Sequence, residues 1–339
     1  MSVQIYPASI PASFDDWVTM LLNEASTQPD VTYSNATYNI PLWLNARTLT
    51  INNATLQAPA GNWEPCVIVC ERLVLNGDIK AGHRGGGGAA SGGAGTGGHG
   101  SSSLIVITKY FSSGGVGALK AVGQSGQNAS TPTAVASGST GSNWRIYDWS
   151  PMGGGVGASS ASTAGGAGGD EHTASPYLVR LFLQRFANTM QMMTLMGAGG
   201  GGGAADNSTT ANYAPGGGGG ASCIAAGGNG GNSTSATATG AGGGGGGGGG
   251  VVVVISKTSI PYTIFNVQGG IGGYGYGAGG AGGGGGGGGV VLLIAPSYYT
   301  NSDFWLNGGA GGSAGGAFAT SGASGADGTA IWLPWRPRL

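Results

Sequence analysis

The chain has 339 residues, of which 78 are glycine and 14 are proline, yet its hydrophobic fraction is 40% and its formal net charge is −1. Disordered chains combine low hydrophobicity with high net charge, so this composition excludes ordinary disorder. Charged residues make up only 7% of the chain, against about 25% in ordinary domains, which leaves few groups for catalysis and no basic patch for nucleic acid.

The first 63 residues carry aromatic and charged side chains and little glycine, which predicts an N-terminal segment (1–63) distinct from a glycine-rich remainder (64–339). Residues 13–26 are expected to form an amphipathic helix, because their apolar side chains recur at helical spacing. Two interpretations stay open. The helix either caps the open end of the fold or attaches the chain to a partner through Phe14, Trp17 and Leu21. No signal peptide or membrane-spanning segment is expected.

Six apolar segments recur along the chain at nearly regular intervals. Their starts lie 38, 73, 74, 39 and 40 residues apart, so the period is close to 38–40 with two doubled intervals. A period of this size indicates stacked units that bury a core only together. The apolar residues are consecutive rather than alternating, which predicts strands buried on both faces. The predicted strands are 66–70, 104–108, 177–183, 251–256, 290–295 and 330–333.

Glycine tracts run directly into these strands, as in "GGGGGGGGGVVVVIS" at 242–256. Glycine offers one N–H, one C=O and close backbone approach, so a tract is ordered only if neighbouring segments take its polar groups. The extended polyproline II form needs no side chains and makes no internal hydrogen bonds. The predicted fold is therefore mainly β with polyglycine II, a layered sandwich of polyproline-II-like glycine helices that continue into short β-strands.

If successive glycine helices, each with the strand that continues it, run alternately up and down, all turns between strands lie at one end of the molecule. All other loops then lie at the opposite end. The loops are 124–150, 205–215, 231–239 and 274–278, and the helix is expected at the strand-turn end. Trp and Tyr make rigid amphipathic contacts and are enriched in binding surfaces. An alternative is that these rings only pack over the edge of the glycine lattice. The candidate binding residues are Trp144, Arg145, Tyr147, Asp148, Trp149, Tyr213, Tyr274 and Tyr276.

Motifs for catalysis or metal binding are weak. Strings of the form GxGxxG occur by chance in so glycine-rich a chain, and no Walker ending follows them. Cys66 and Cys70 lie about 13 Å apart along a strand, too far for a disulfide. With Cys223 they are interpreted as packed thiols. The three histidines are far apart in sequence. We therefore expect no enzyme activity, no catalytic residue, no metal and no cofactor.

Glycine tracts at 85–88, 199–203, 216–220, 242–250 and 282–289, interleaved with loops, resemble the glycine-rich adhesins at the long tail-fibre tips of T-even-like phages. In that family an N-terminal segment attaches to other fibre proteins of the virion, and distal loops select a receptor on the host surface. The resemblance implies a receptor-binding protein of a virion appendage whose receptor is a protein or a polysaccharide. Neither nucleic-acid binding nor membrane insertion is expected, and binding should be insensitive to salt.

Two other functions stay open. One is a structural protein of a capsid, a filament or an extracellular matrix, in which the rods pack laterally against copies. The other is an ice-binding protein that uses a flat face of small residues. The bulky loops argue against ice binding.

Overall fold

The computed structural model describes residues 4–5, 12–59, 65–85, 87–114, 117–141, 154–170, 197–207, 212–235 and 238–335. The protein is mainly β, as expected, with a single helix in these ranges. That helix does not have the length and apolarity needed to cross a membrane. The elements are β1 (Gln4–Ile5), α1 (Ala12–Ser26), β2 (Val31–Ser34), β3 (Thr37–Asn39), β4 (Trp43–Gln57), β5 (Cys66–Lys80), β6 (His83–Gly85), β7 (Gly100–Ser101), β8 (Leu104–Ser113), β9 (Ala118–Lys120), β10 (Ala205–Asp206), β11 (Gly240–Ala241), β12 (Val251–Ser256), β13 (Ile264–Asn266), β14 (Val290–Ala295), β15 (Asp303–Trp305) and β16 (Thr329–Pro334).

The largest sheet has 12 strands, is parallel at every pairing, and curls into a nearly closed barrel. Successive repeats stack in register. Val252 of β12 lies beside Leu104 on one side and Val291 on the other. The predicted bounds of β12 and β14 are confirmed, whereas β5, β8 and β16 are longer than predicted. The strand predicted at 177–183 lies outside the described residues.

The consecutive apolar runs are buried on both faces, as predicted. In β12, Val252 and Val254 face the barrel interior, where they belong to the same core cluster as Phe265 of β13. Val251 and Val253, which point the opposite way, belong to a second core cluster on the outer face. Successive side chains of a strand point to opposite faces, so a strand covered on both sides must be apolar at every position.

The N-terminal helix supplies the cover for that outer face. It begins at Ala12, one residue before the predicted start, and its stripe of apolar side chains is buried in the outer cluster. The helix lies next to the strand ends, as expected. Lys257, directly after β12, pairs with Asp15 and donates to the hydroxyl of Thr19 at 3.1 Å. Its ammonium also lies 4.2 Å from the centre of the Trp335 ring.

Residues 31–57 form three strands that the sequence did not predict. Of these, β4 pairs with β5 along most of its length, so the sheet is continuous across the expected boundary at 63/64. The short strands β2 and β3 pair with the other edge of β4, and β1 pairs with β16. Strands of the N-terminal segment thus pair with both edges of the series β5-β8-β12-β14-β16. Exposed strand edges are otherwise templates for aggregation.

Extended glycine-rich segments, here called rods, run between the strands and the loops. Their hydrogen-bond partners show that neighbouring rods run either parallel or antiparallel. The end where rods meet the strands is called the strand side, and the opposite end is called the tip. The rods are 87–89, 95–101, 121–127, 138–141, 154–158, 165–169, 197–203, 216–221, 227–231, 242–250, 268–273, 282–289, 307–312 and 322–328.

The rod 242–250 lies at the centre of the others, and all of its residues are buried. The N–H groups of Gly244, Gly245 and Gly246 donate at 2.8–3.1 Å to carbonyls on three different rods, and this pattern repeats every three residues. Its carbonyls accept hydrogen bonds from three further rods. The N–H groups of the rod 242–250 donate to the rods 121–127, 197–203 and 282–289. Its carbonyls accept from the rods 95–101, 216–221 and 268–273. All nine N–H groups of this rod are therefore paired with backbone carbonyls, without any side chain.

Candidate binding surface at the tip

Loops from seven separate parts of the chain meet at the tip. Hydrogen bonds and bridges join them in a continuous series, for example Ala129 to Tyr274, Ala136 to Ala205 and Ala241 to Tyr276. The shared end that the alternation predicted for 205–215, 231–239 and 274–278 is therefore confirmed for their described residues. The tip loops are 89–94, 128–137, 159–164, 204–215, 232–241, 274–281 and 313–321.

Tyr274 and Tyr276 are two of the predicted binding residues, and both are at the tip with exposed side chains. Their exposed fractions are 53% and 45%. The backbone beneath them is held firmly. The N–H of Tyr274 donates to the Asn128 side-chain oxygen at 2.9 Å, and Tyr276 forms an antiparallel bridge with Ala241. Rigid backbone thus presents two half-exposed rings.

Tyr213, the third predicted tyrosine, belongs to the same surface and is partly buried. Its N–H donates to the carbonyl of Ser160 at 2.8 Å, on the neighbouring loop 159–164. The adjacent Ala214 forms a parallel bridge with Gly280. Tyr213 is therefore brought to the same end as Tyr274 and Tyr276, although it lies far from them in the sequence.

Sequence reasoning missed two apolar residues of the tip. Phe318 is 49% exposed, and its carbonyl accepts hydrogen bonds from both the N–H and the hydroxyl of Thr234. Val135 is also exposed, on the loop 128–137. The signal for Phe318 was available, because it is an aromatic residue among small residues between two rods, as Tyr274 and Tyr276 are.

The aromatic group at 144–149 lies outside the described residues, so the binding role of Trp144, Arg145, Tyr147, Asp148 and Trp149 remains a prediction. The described chain that precedes them corrects the predicted extent of the loop. Residues 121–127 and 138–141 are rods, and only 128–137 forms a tip loop.

The rod 138–141 carries the chain back from the tip before the segment 142–153 begins. The N–H of Gly141 donates to Gly155, and that of Gly155 donates to Gly199, at the strand side of the neighbouring rods. Gly141 and Gly155, the described residues nearest to this segment on either side, therefore lie toward the strand side of these rods and not at the tip. The described part of the predicted tip loop 124–150 is therefore not one long loop, because the rod 138–141 reverses the direction of the chain; residues 142–150 lie outside the described residues.

Charge is nearly absent from the tip. In the sequences of all seven tip loops, Asp206 is the only charged residue, and it is fully buried. The charged residues of the described chain lie mostly around the strands, for example the pairs of Lys120 with Asp78 and of Arg47 with Asp30. The surface at the tip therefore offers aromatic, hydroxyl, amide and backbone groups without a net charge.

The apolar residues of the helix that were predicted to attach to a partner are buried inside the fold. Phe14 is fully buried, and Trp17 and Leu21 are nearly so, in the core cluster that covers the outer face of the sheet. Side chains buried against their own sheet are not available to a partner, so the capping interpretation accounts for these three residues. The exposed apolar residues nearby in sequence are Met20 and Trp43.

Burial shifts the pKa values of several titratable groups elsewhere in the described chain. Burial raises the pKa of the Cys66, Cys70 and Cys223 thiols to about 12, so they remain protonated near neutral pH. Burial lowers the pKa of His83, and the nearby His99 and Lys80 lower it further. In the ranges that the structure describes, no three His, Cys, Asp or Glu side chains form a group that could hold a metal ion.

Comparison of the chain with protein-family models, with curated proteins and with solved structures found no match.

Proposed function

We propose that this chain is a receptor-binding adhesin of a virion, located at the tip of a tail fibre, and that its tip loops bind a receptor on the host cell surface. The observation that carries the proposal is the convergence of seven loops at one end, where Tyr274, Tyr276 and Phe318 are exposed. Binding residues are commonly found on loops that a rigid scaffold positions. The function is binding rather than catalysis.

The scaffold in this proposal is a polyglycine II sandwich. It is supported by the three-residue repeat of hydrogen-bond donors in the rod 242–250 and by the six rods around it. An extended helix with three residues per turn and no internal hydrogen bonds directs successive N–H groups to different neighbours. A scaffold of this kind holds its loops rigidly, because the rods are hydrogen-bonded to several neighbouring rods.

The opposite end is proposed to face the rest of the particle. The helix α1 and its ion pair between Asp15 and Lys257 lie there, away from the tip. Attachment to another fibre protein would use exposed residues of the N-terminal segment, such as Met20 and Trp43, since the helix stripe is buried. Neither nucleic-acid binding nor membrane insertion is part of the proposal.

Adsorption to host cells tests the function. The triple variant Tyr274→Ala, Tyr276→Ala, Phe318→Ala should abolish binding of the purified protein to cells, with unchanged thermal unfolding. The matched control is Tyr299→Ala, which removes an equally exposed ring (49%) near the strand turns. Equal adsorption of both variants would contradict the proposal. Lateral assembly of the wild-type protein into filaments would then favour the structural alternative.

A further inference from the structure

We propose that the ligand of the tip is an uncharged saccharide on the host surface, recognised by single aromatic rings and by hydroxyl, amide and backbone groups. This inference rests on the proposed receptor-binding function and narrows it to one class of ligand.

The first argument is the charge of the surface. The only charged residue in the tip loops is Asp206, and it is fully buried. A charged group brought into contact with this surface would lose its hydration without meeting an opposite charge, and such burial is strongly unfavourable. Anionic glycans and phosphate-rich surfaces are therefore poor ligands. A neutral saccharide carries no charge that must be desolvated.

The same argument disfavours a protein receptor. About a quarter of the residues of an ordinary protein are charged, mostly on its surface, and protein interfaces commonly use Arg as an anchor. The seven tip loops provide no exposed carboxylate to pair with such an Arg, and their described residues provide no exposed cation to pair with an Asp or Glu.

The second argument is the arrangement of the aromatic rings. Tyr274, Tyr276 and Phe318 are each about half exposed, and none of them packs against another aromatic ring in the described part of the chain. A protein interface usually requires a contiguous apolar core, whereas single rings separated by small polar residues suit one sugar ring each. The flat face of an aromatic ring packs against the C–H face of a pyranose, and a tyrosine hydroxyl adds a hydrogen bond at its edge.

The third argument is that the loops are already ordered by side chains that a saccharide would also contact. The Asn128 side-chain oxygen accepts a hydrogen bond from Tyr274, and the amide nitrogen of this exposed residue keeps two N–H donors for a sugar hydroxyl. The Thr320 hydroxyl accepts from the N–H of Asn232, and the Thr234 hydroxyl donates to the Phe318 carbonyl. Loops fixed before binding lose little entropy on binding, which favours weak, polar ligands.

The test uses the full-length protein, fluorescently labelled, and cells of a strain that it binds. Cells are treated either with sodium periodate, which cleaves vicinal diols of saccharides, or with a broad-specificity protease. We expect periodate to reduce binding at least tenfold and the protease to leave it unchanged. A rise in NaCl from 50 to 500 mM should change the apparent Kd less than about twofold, because the contacts involve no ion pairs.

A panel of immobilised glycans provides the second arm. Neutral oligosaccharides should retain the protein, and sialylated or sulfated forms should not. Tyr274→Ala should lower retention at least tenfold, and Tyr299→Ala should not. Binding that is lost with the protease and survives periodate, or that is limited to anionic glycans, would overturn the saccharide inference and leave the adhesin function intact. A folded protein that binds no cells and no glycans would overturn the adhesin function itself.

Discussion

Replacement of Gly246 by valine is expected to be among the most destabilising single changes in the chain. Gly246 is buried in the central rod, where its N–H donates to Gly284 and its carbonyl accepts from Gly220. A Cβ built at this position would overlap the carbonyl oxygen of Gly270, far inside the 3.0 Å below which real Cβ contacts are essentially never found. The rods 242–250 and 268–273 would therefore have to separate.

The cost follows from the hydrogen bonds between these two rods. Gly270 donates to Gly247 at 2.8 Å and Gly273 donates to Gly244 at 2.7 Å, and all four residues are buried. A buried N–H left without a partner costs about 1–3 kcal/mol, so two of them cost about 2–6 kcal/mol before any further strain is counted. This is a large part of the roughly 5–15 kcal/mol that stabilises a typical protein. We expect Tm to fall on the order of 10 °C.

Thermal unfolding followed by circular dichroism measures this effect, with Gly246→Ala as a smaller step that should also destabilise. The matched control is Ala310→Val, which adds carbon atoms at an exposed position of the rod 307–312. It should leave Tm nearly unchanged. A Tm of Gly246→Val within a degree or two of the wild-type value would refute the closely packed interior.

Three further predictions concern other parts of the molecule. Lys257→Met should lower the free energy of unfolding by about 1–3 kcal/mol in urea titrations, because it leaves the mostly buried Asp15 carboxylate without its partner. Asp15→Asn in the same chain should restore part of the loss, and additive losses would argue against a direct pair. Burial lowers the pKa of His83 in the folded state, so its stabilising contribution is complete above the ordinary value near 6.5 and declines as the pH falls below it. Tm should therefore decrease from pH 7 to pH 5, and His83→Leu should make that decrease smaller. If the variant shows the same pH dependence of Tm as the wild-type protein, protonation of His83 does not contribute to it. The three cysteines should resist iodoacetamide at pH 8 until the protein is unfolded, and rapid alkylation of the folded protein would show that the thiols are not buried.

Several elements could be predicted from the sequence because their patterns are local. The consecutive apolar residues of β12 and β14 indicate strands covered on both faces, and the bounds agree with the structure. The helical spacing of apolar residues at 13–26 likewise indicates α1. The exposed tyrosines at 274 and 276 could be assigned to the tip because a glycine tract follows them and leads directly into β14.

The N-terminal strands were missed because their evidence lies in their partners. In β4, buried and exposed residues alternate with irregularities, and the bulge between Asn52 and Thr55 interrupts the period. The pairing with β5 therefore decides that residues 43–57 are one strand. The role of the helix stripe, whether to cover the fold or to bind a partner, is also decided only by the sheet against which it packs.

The sequence by itself determined that glycine tracts continue into strands and that loops must meet opposite the strand turns, because composition and period are properties of the chain alone. Only the tertiary structure decided which segments without a continuous glycine tract also serve as rods. Residues 121–127 and 138–141 contain few glycines in succession, yet they hydrogen-bond to neighbouring rods in the same way as the glycine tracts do. A rod has no internal hydrogen bonds, so its existence depends on the carbonyl and N–H groups that surrounding rods present to it.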